Sequence, residues 1–194
     1  NDTIALRDAD VGIVMGSGSD IAKESADLVL INNDFNSLPL AIKEGRGIFK
    51  NIRKVINYLL TANLAEVLVV FIASFLGIIP FTAIQILWVN FVTDVFPALA
   101  LGVDKFSEDN MKEKPLGIKE NILNNRIKFL TLLISIKKVI LIFVLYYLAL
   151  IYSNNNVIFA QTIAFTWLVL SHFVRISAIR FDEKISFFTN KYVL

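Results

Sequence analysis

The sequence of 194 residues has no cysteine and a single histidine, His172. Disulfides and thiolate metal sites are thereby excluded, and one histidine cannot build a zinc cluster. Charge of one sign is missing too. Lys and Arg number 19 against 17 for Asp and Glu, a net charge of +2, so charge gives no case for a nucleic-acid partner. The opening "NDTIALRDAD" holds neither a basic n-region nor an apolar core, so it is not a signal peptide. It also lacks an initiator Met, and the expectation is a chain that starts inside a larger reading frame.

What the sequence has in excess is apolar. Hydrophobic residues make up 56% and the mean hydropathy is +0.64. The excess begins near Val55 and gathers in four runs, each long enough for the roughly 20 residues that a bilayer core requires. The predicted spans are 55–79, 81–102, 127–152 and 157–179. Gly77 and Pro80 punctuate the first pair, and "SNNN" the second. Residues 1–42 read differently, as soluble α/β: "GIVMG" and "DLVLI" suit buried strands, with a short helix over "IAKESA" between them. "GSGSD" could cradle a phosphate, but without a P-loop lysine it reads as a strand-to-helix turn. Residues 43–54 are basic and helical and lead into the first span; 103–126 form a polar loop and 180–194 a tail.

Basic residues orient the spans. Lys50, Arg53 and Lys54 precede the first; Lys105, Lys112, Lys114, Lys119, Arg126 and Lys128 lie between the second and third; Arg175, Arg180 and Lys184 follow the fourth. The turns at 77–82 and 153–157 carry no charge. The positive-inside rule then places both chain ends and the 103–126 loop in the cytoplasm. Lys137 and Lys138 interrupt the third run and are expected to snorkel toward the cytoplasmic face.

Polar residues inside the runs mark a candidate site. Asn90, Thr93 and Asp94 stand at i, i+3, i+4 in the second span, and Asn63 and Glu66 at i, i+3 in the first. A lone Asn or Thr in a span is usually glue between helices. Two carboxylates are different, because each costs about 2.5–3.5 kcal/mol to insert. Two amides, a hydroxyl and two carboxylates form an all-oxygen set of the kind hard cations take. Pro97 adds to it by freeing a carbonyl near Thr93. His172 of the fourth span is a further candidate, as ligand or proton carrier; a hydrogen-bonded histidine between helices is the competing reading.

The same residues carry a family resemblance. "NDTIALRDADVGIVMGSGSDIAKESADLVL", "EGRGIFKNIRKVINYLLTANLAEV" and "ILWVNFVTDVFPALALG", in this order, resemble the C-terminal part of a P-type cation-transporting ATPase of the calcium-pump branch. The resemblance implies a mainly α-helical multi-pass membrane protein, carrying at its N-terminus an α/β remnant of a haloacid-dehalogenase-like phosphorylation domain. It implies that the spans are transmembrane helices five to eight, that residues 43–58 form the stalk, and that Asn63, Glu66, Asn90, Thr93 and Asp94 are ligands of transported Ca²⁺. Asn1 and Asp2 match the end of the family's Gly-Asp-Gly-x-Asn-Asp loop and would support the Mg²⁺ and phosphate end of the phosphorylation site. The implied partners are ATP, Mg²⁺, counter-transported protons, the lipid bilayer of the cell membrane and the pump's remaining domains. The phosphorylated Asp motif and the nucleotide domain are absent from these residues, so the fragment alone is expected to be inactive. His172 stands where two-site calcium pumps carry a Glu, which would leave one ion per cycle. Mn²⁺, Na⁺ or K⁺ as the cargo, a secondary cation/proton carrier, and a truncated non-pumping product remain open alternatives.

Overall fold

The computed structural model describes residues 2–105, 108–112, 114, 115, 117 and 121–182. Asn1, Lys119, Lys184 and most of the tail lie outside these described residues. The chain divides into two compact units between Arg46 and Gly47.

The first unit contains α1 (Thr3–Asp8), β1 (Ile13–Met15), α2 (Asp20–Ser25) and β2 (Leu28–Leu30). The strands pair in parallel, with Ile13 opposite Leu28 and Met15 opposite Leu30, so α2 is their crossover. Ser19 caps α2, its hydroxyl accepting from the Ala22 N–H at 3.3 Å. Gly12 sits where only hydrogen fits: a Cβ there would meet the Leu6 carbonyl oxygen at 2.4 Å.

The boundary between the units falls within α3 (Ser37–Leu76). After it come α4 (Ala83–Trp88), a π-helical stretch over Val89–Asp94, α5 (Val95–Gly102), a 3₁₀ turn (Glu108–Met111), α6 (Asn125–Tyr152) and α7 (Val157–Asp182). Among the described residues, four helical stretches are long and apolar enough to cross a membrane: α3, α4 through α5, α6 and α7. The chain is a multi-pass helical membrane protein, as the apolar runs predict. Its exposed side chains agree, with Phe75, Leu87, Phe91, Leu99, Leu148 and Ile158 all on the outer surface, where lipid is the solvent.

The ends of these helices follow from local chemistry. Gly77 takes φ +66 and closes α3 with the left-handed residue that glycine supplies most cheaply. Thr82 and Gln85 form a reciprocal capping box that starts α4. Asn154 and Asn155, at φ 53 and 65, turn the chain after α6, and Asn156 Oδ1 accepts from the Phe159 N–H at 3.1 Å to cap α7.

The second span departs from the single α-helix that its hydropathy predicts. Its middle turn, Val89–Asp94, is π-helical. Pro97 has no N–H to offer the Thr93 carbonyl, which releases the preceding turn from α geometry. The Thr93 carbonyl instead accepts from the Tyr58 hydroxyl of α3.

Packing unites the spans. Ala65, Val69, Val89, Val139, Ile142, Ala160, Ala164 and Leu168 share one core, whose alanines let the backbones approach closely. Tyr58, Leu101, Ile176 and Ile179 form a second cluster. Beyond it, buried Asp104 pairs with Arg180 Nε at 3.2 Å and Lys54 Nζ at 3.8 Å, while Asn51 Nδ2 donates to the Asp104 carbonyl at 2.7 Å. This network ties α3, the chain after α5, and α7.

Candidate cation site

The site grows from the hairpin of α3 and the second span. Glu66 and Asp94 are both buried, at 5% and 4% exposure. Each has an amide of the opposite helix beside it. Asn63 Nδ2 of α3 lies 3.5 Å from Asp94 Oδ2, and Asn90 of the π-helical stretch lines the same pocket as Glu66.

His172 of α7 completes a triangle. Its Nε2 lies 3.9 Å from Glu66 Oε1 and 3.5 Å from Asp94 Oδ1. One ligand atom from each of the three residues lies within 4.8 Å of the others. The tautomer follows from the ring's other nitrogen. Nδ1 lies 2.7 Å from the Leu168 carbonyl, which can only accept, so Nδ1 carries the hydrogen. Nε2 is then left facing the carboxylates with a lone pair, as in metal-bound histidines whose second nitrogen is fixed by a carbonyl. Glu66 Oε1, Asp94 Oδ1 and His172 Nε2 are buried without hydrogen-bond partners among the described residues. Three convergent acceptors with no donor between them are costly unless a cation or proton lies among them.

Of the other sequence candidates, Asn63 is exposed and lines an open pocket with Glu66 and Asn90. Thr93 is buried, but its hydroxyl donates back to the Val89 carbonyl at 2.8 Å, leaving only oxygen lone pairs for a ligand. The carbonyl that Pro97 frees is taken by Tyr58. In the first unit, Asp2 borders a groove with Ser17 and Gly18. The Ser17 N–H donates to Asn33 Oδ1 at 2.8 Å and the Gly18 N–H to the Met15 carbonyl at 2.9 Å, so these amides are spent on the turn rather than on a phosphate. Asp2 is the one carboxylate among the residues that line this groove.

Several polar residues around the site escape a reading by helical face. Asn57 Oδ1 accepts from Arg175 Nη2 at 2.9 Å and Thr131 Oγ1 at 3.2 Å, and Ser135 Oγ donates to the Thr61 carbonyl at 3.1 Å. Arg175 is therefore a buried residue inside α7 rather than a flanking loop charge. Lys138 does not snorkel: it is 7% exposed, whereas its neighbour Lys137 is exposed. The signal available in the sequence was spacing, since Asn57 and Thr61 stand at i, i+4 before Glu66, and His172 and Arg175 at i, i+3.

The family profile described as "Cation transporting ATPase, C-terminus" matches residues 78–194, more than half of the sequence. The chain belongs to this family. It is similar to the calcium-transporting ATPase of Bacillus subtilis (strain 168), at 40% identity over 95% of this chain and 21% of that protein. Calcium-transporting ATPase 1 of Bacillus cereus is 38% identical over 100% of this chain and 24% of its own length. The endoplasmic reticulum-type calcium-transporting ATPase 3 of Arabidopsis thaliana is 42% identical over 70% of this chain and 14% of its own. The chain thus spans less than a quarter of the curated relatives it matches.

Proposed function

We propose that this chain is the C-terminal membrane portion of an ATP-driven calcium pump, and that Asn63, Glu66, Asn90, Thr93 and Asp94 seat the transported ion. One observation carries the reading: Glu66 and Asp94, from two different spans, turn unpartnered buried oxygens toward one another inside a membrane-spanning bundle. Two such carboxylates cost about 5–7 kcal/mol together on insertion scales, which a bound cation offsets. The names of the relatives make calcium the cargo of choice.

In this reading ATP, Mg²⁺ and the phosphorylated Asp are supplied by other domains of the pump. Asp2, with Asn1, sits at the edge of that phosphorylation machinery. The basic residues 43–54 lie on the same continuous helix as Glu66, so α3 is the rod through which a cytoplasmic event reaches the ion. The bilayer is the cell membrane, both chain ends are cytoplasmic, and protons are the return load.

The competing cargo is Mn²⁺, which takes much the same carboxylate and amide oxygens as Ca²⁺. The test uses the complete reading frame that carries this chain, purified and reconstituted in vesicles. Calcium should stimulate ATP hydrolysis and drive ion uptake, and Glu66→Gln and Asp94→Asn should each reduce both to background. Stimulation by Mn²⁺ but not Ca²⁺ would select the second cargo. Full activity in both variants would refute the site.

A further inference from the structure

Lys138 is the group that the site as described does not use. It stands midway along α6, about 20 Å from either helix end at 1.5 Å per residue, farther than a lysine stem reaches. Its Nζ is buried and has no hydrogen-bond partner among the described residues. An ammonium in that position is costly unless an opposite charge faces it.

Helix register supplies the facing charges. Thr131 of α6 bonds Asn57 of α3, and one turn later Ser135 bonds Thr61. Each step is four residues on both helices, so the two run in the same direction and in step. The next turn sets Lys138 and Val139 level with Ala65 and Glu66, and Val139 and Ala65 indeed share a core. Thr131, Ser135 and Lys138 stand at i, i+4, i+7, so Lys138 lies on the face of α6 that meets α3, level with the turn that carries Glu66. Arg175 is held on Asn57, whereas the lysine is unheld and carries a flexible stem.

Charge counting then decides what Lys138 does. Glu66 and Asp94 supply two negative charges, and Lys138 and Arg175 two positive ones. With all four ionised, the set is neutral before an ion enters. A divalent ion added to it would leave an excess of positive charge in a low-dielectric interior, unless the mobile cation gives way.

We propose that the Lys138 ammonium is a tethered counter-cation, which holds the Glu66–Asp94 pair when the transported ion has left and is displaced when the ion returns. The proposal rests on the reading of Glu66 and Asp94 as the ion's seat. It gives Lys138 a role in setting ion affinity and in carrying the empty site's charge through the return half of the cycle.

The test measures radiolabelled calcium binding by the complete purified protein in detergent. Competition of this kind is typically worth ~5- to 150-fold, so Lys138→Ala should bind calcium about tenfold more tightly than wild type. Methylammonium should restore the weaker, wild-type affinity in that variant and leave wild type unchanged. Lys138→Arg, which keeps the charge, should stay near wild type. Unchanged or weaker binding by Lys138→Ala, or no response to methylammonium, overturns the proposal. Should the alanine variant not fold, wild type decides alone: amine-reactive labelling of Lys138, followed by mass spectrometry, should rise on adding calcium, and an unchanged rate overturns the displacement. Asp94→Asn in the same assay separates the two readings. Wild-type calcium binding by that variant refutes the seat itself, whatever Lys138 does.

Discussion

Asn57 shows how a single side chain supports the site without entering it. Its Oδ1 accepts from Arg175 at 2.9 Å and Thr131 at 3.2 Å, joining α3, α6 and α7 through one oxygen. Asn57→Ala removes the acceptor and leaves a buried guanidinium short of a bond. Hydrogen bonds to charged groups contribute about 1.5–3 kcal/mol, and the variant should lose about that much in unfolding experiments in detergent. Asn57→Asp, which keeps the acceptor, should lose less. Equal stability of wild type and the alanine variant would show that Arg175 finds another partner. At this scale the carboxylates were legible in the sequence, because a charge inside an apolar run is conspicuous. Asn57, Ser135 and Arg175 were not. Their partners lie on other helices, and the register between helices is a tertiary quantity. Lys138 was visible and its destination was not. Whether a membrane lysine snorkels or turns inward depends on what the neighbouring helix presents, here the turn of α3 that carries Glu66.

Among the elements, the second span carries the most function for its length. Hydropathy gives its existence and approximate ends, since it counts apolar residues and is blind to backbone geometry. Pro97 was the one available sign that the turn before it would not be α-helical. Its effect at Val89–Asp94 needed a partner to stabilise it, the Tyr58 hydroxyl on the Thr93 carbonyl. π-helical turns occur often at functional sites, and this one ends on Asp94. Tyr58→Phe keeps the ring but leaves a buried carbonyl without a donor, a loss of about 1–3 kcal/mol. Because Asp94 sits in the stretch so released, ion affinity should fall along with thermal stability. A variant that loses stability while binding the ion as wild type does would show that the π turn holds its shape unaided. The two short strands illustrate the opposite case: their apolar cores, Ile13–Met15 and Leu28–Leu30, were readable because a strand, a helix and a strand lie in simple succession.

For the whole molecule, the open quantity is which way the spans face. The uncharged turns at 77–82 and 153–156 and the basic flanks argue for cytoplasmic ends, but Arg175 no longer counts toward that bias, because it is buried within α7. Lys50, Arg53, Lys105, Lys112, Lys114, Arg126 and Lys128 still do, and all precede the first span or lie between the second and third; Lys54, buried on Asp104, drops out with Arg175. The remaining asymmetry is therefore carried by two regions, which is sufficient because each contributes several basic residues and the opposite turns contribute none. No cysteine occurs among these 194 residues, so single cysteines introduced here can be read against the complete protein without them. A cysteine placed at exposed Asn154 should react with a membrane-impermeant maleimide added outside intact cells. One at exposed Lys114 should react only after the membrane is opened. The reverse pattern would invert the topology and put residues 43–54 on the wrong side to receive an ATP-driven push. Labelling of both positions from outside would mean that an even number of crossings separates them, and α6, the span between them, would then have to lie along the membrane rather than across it.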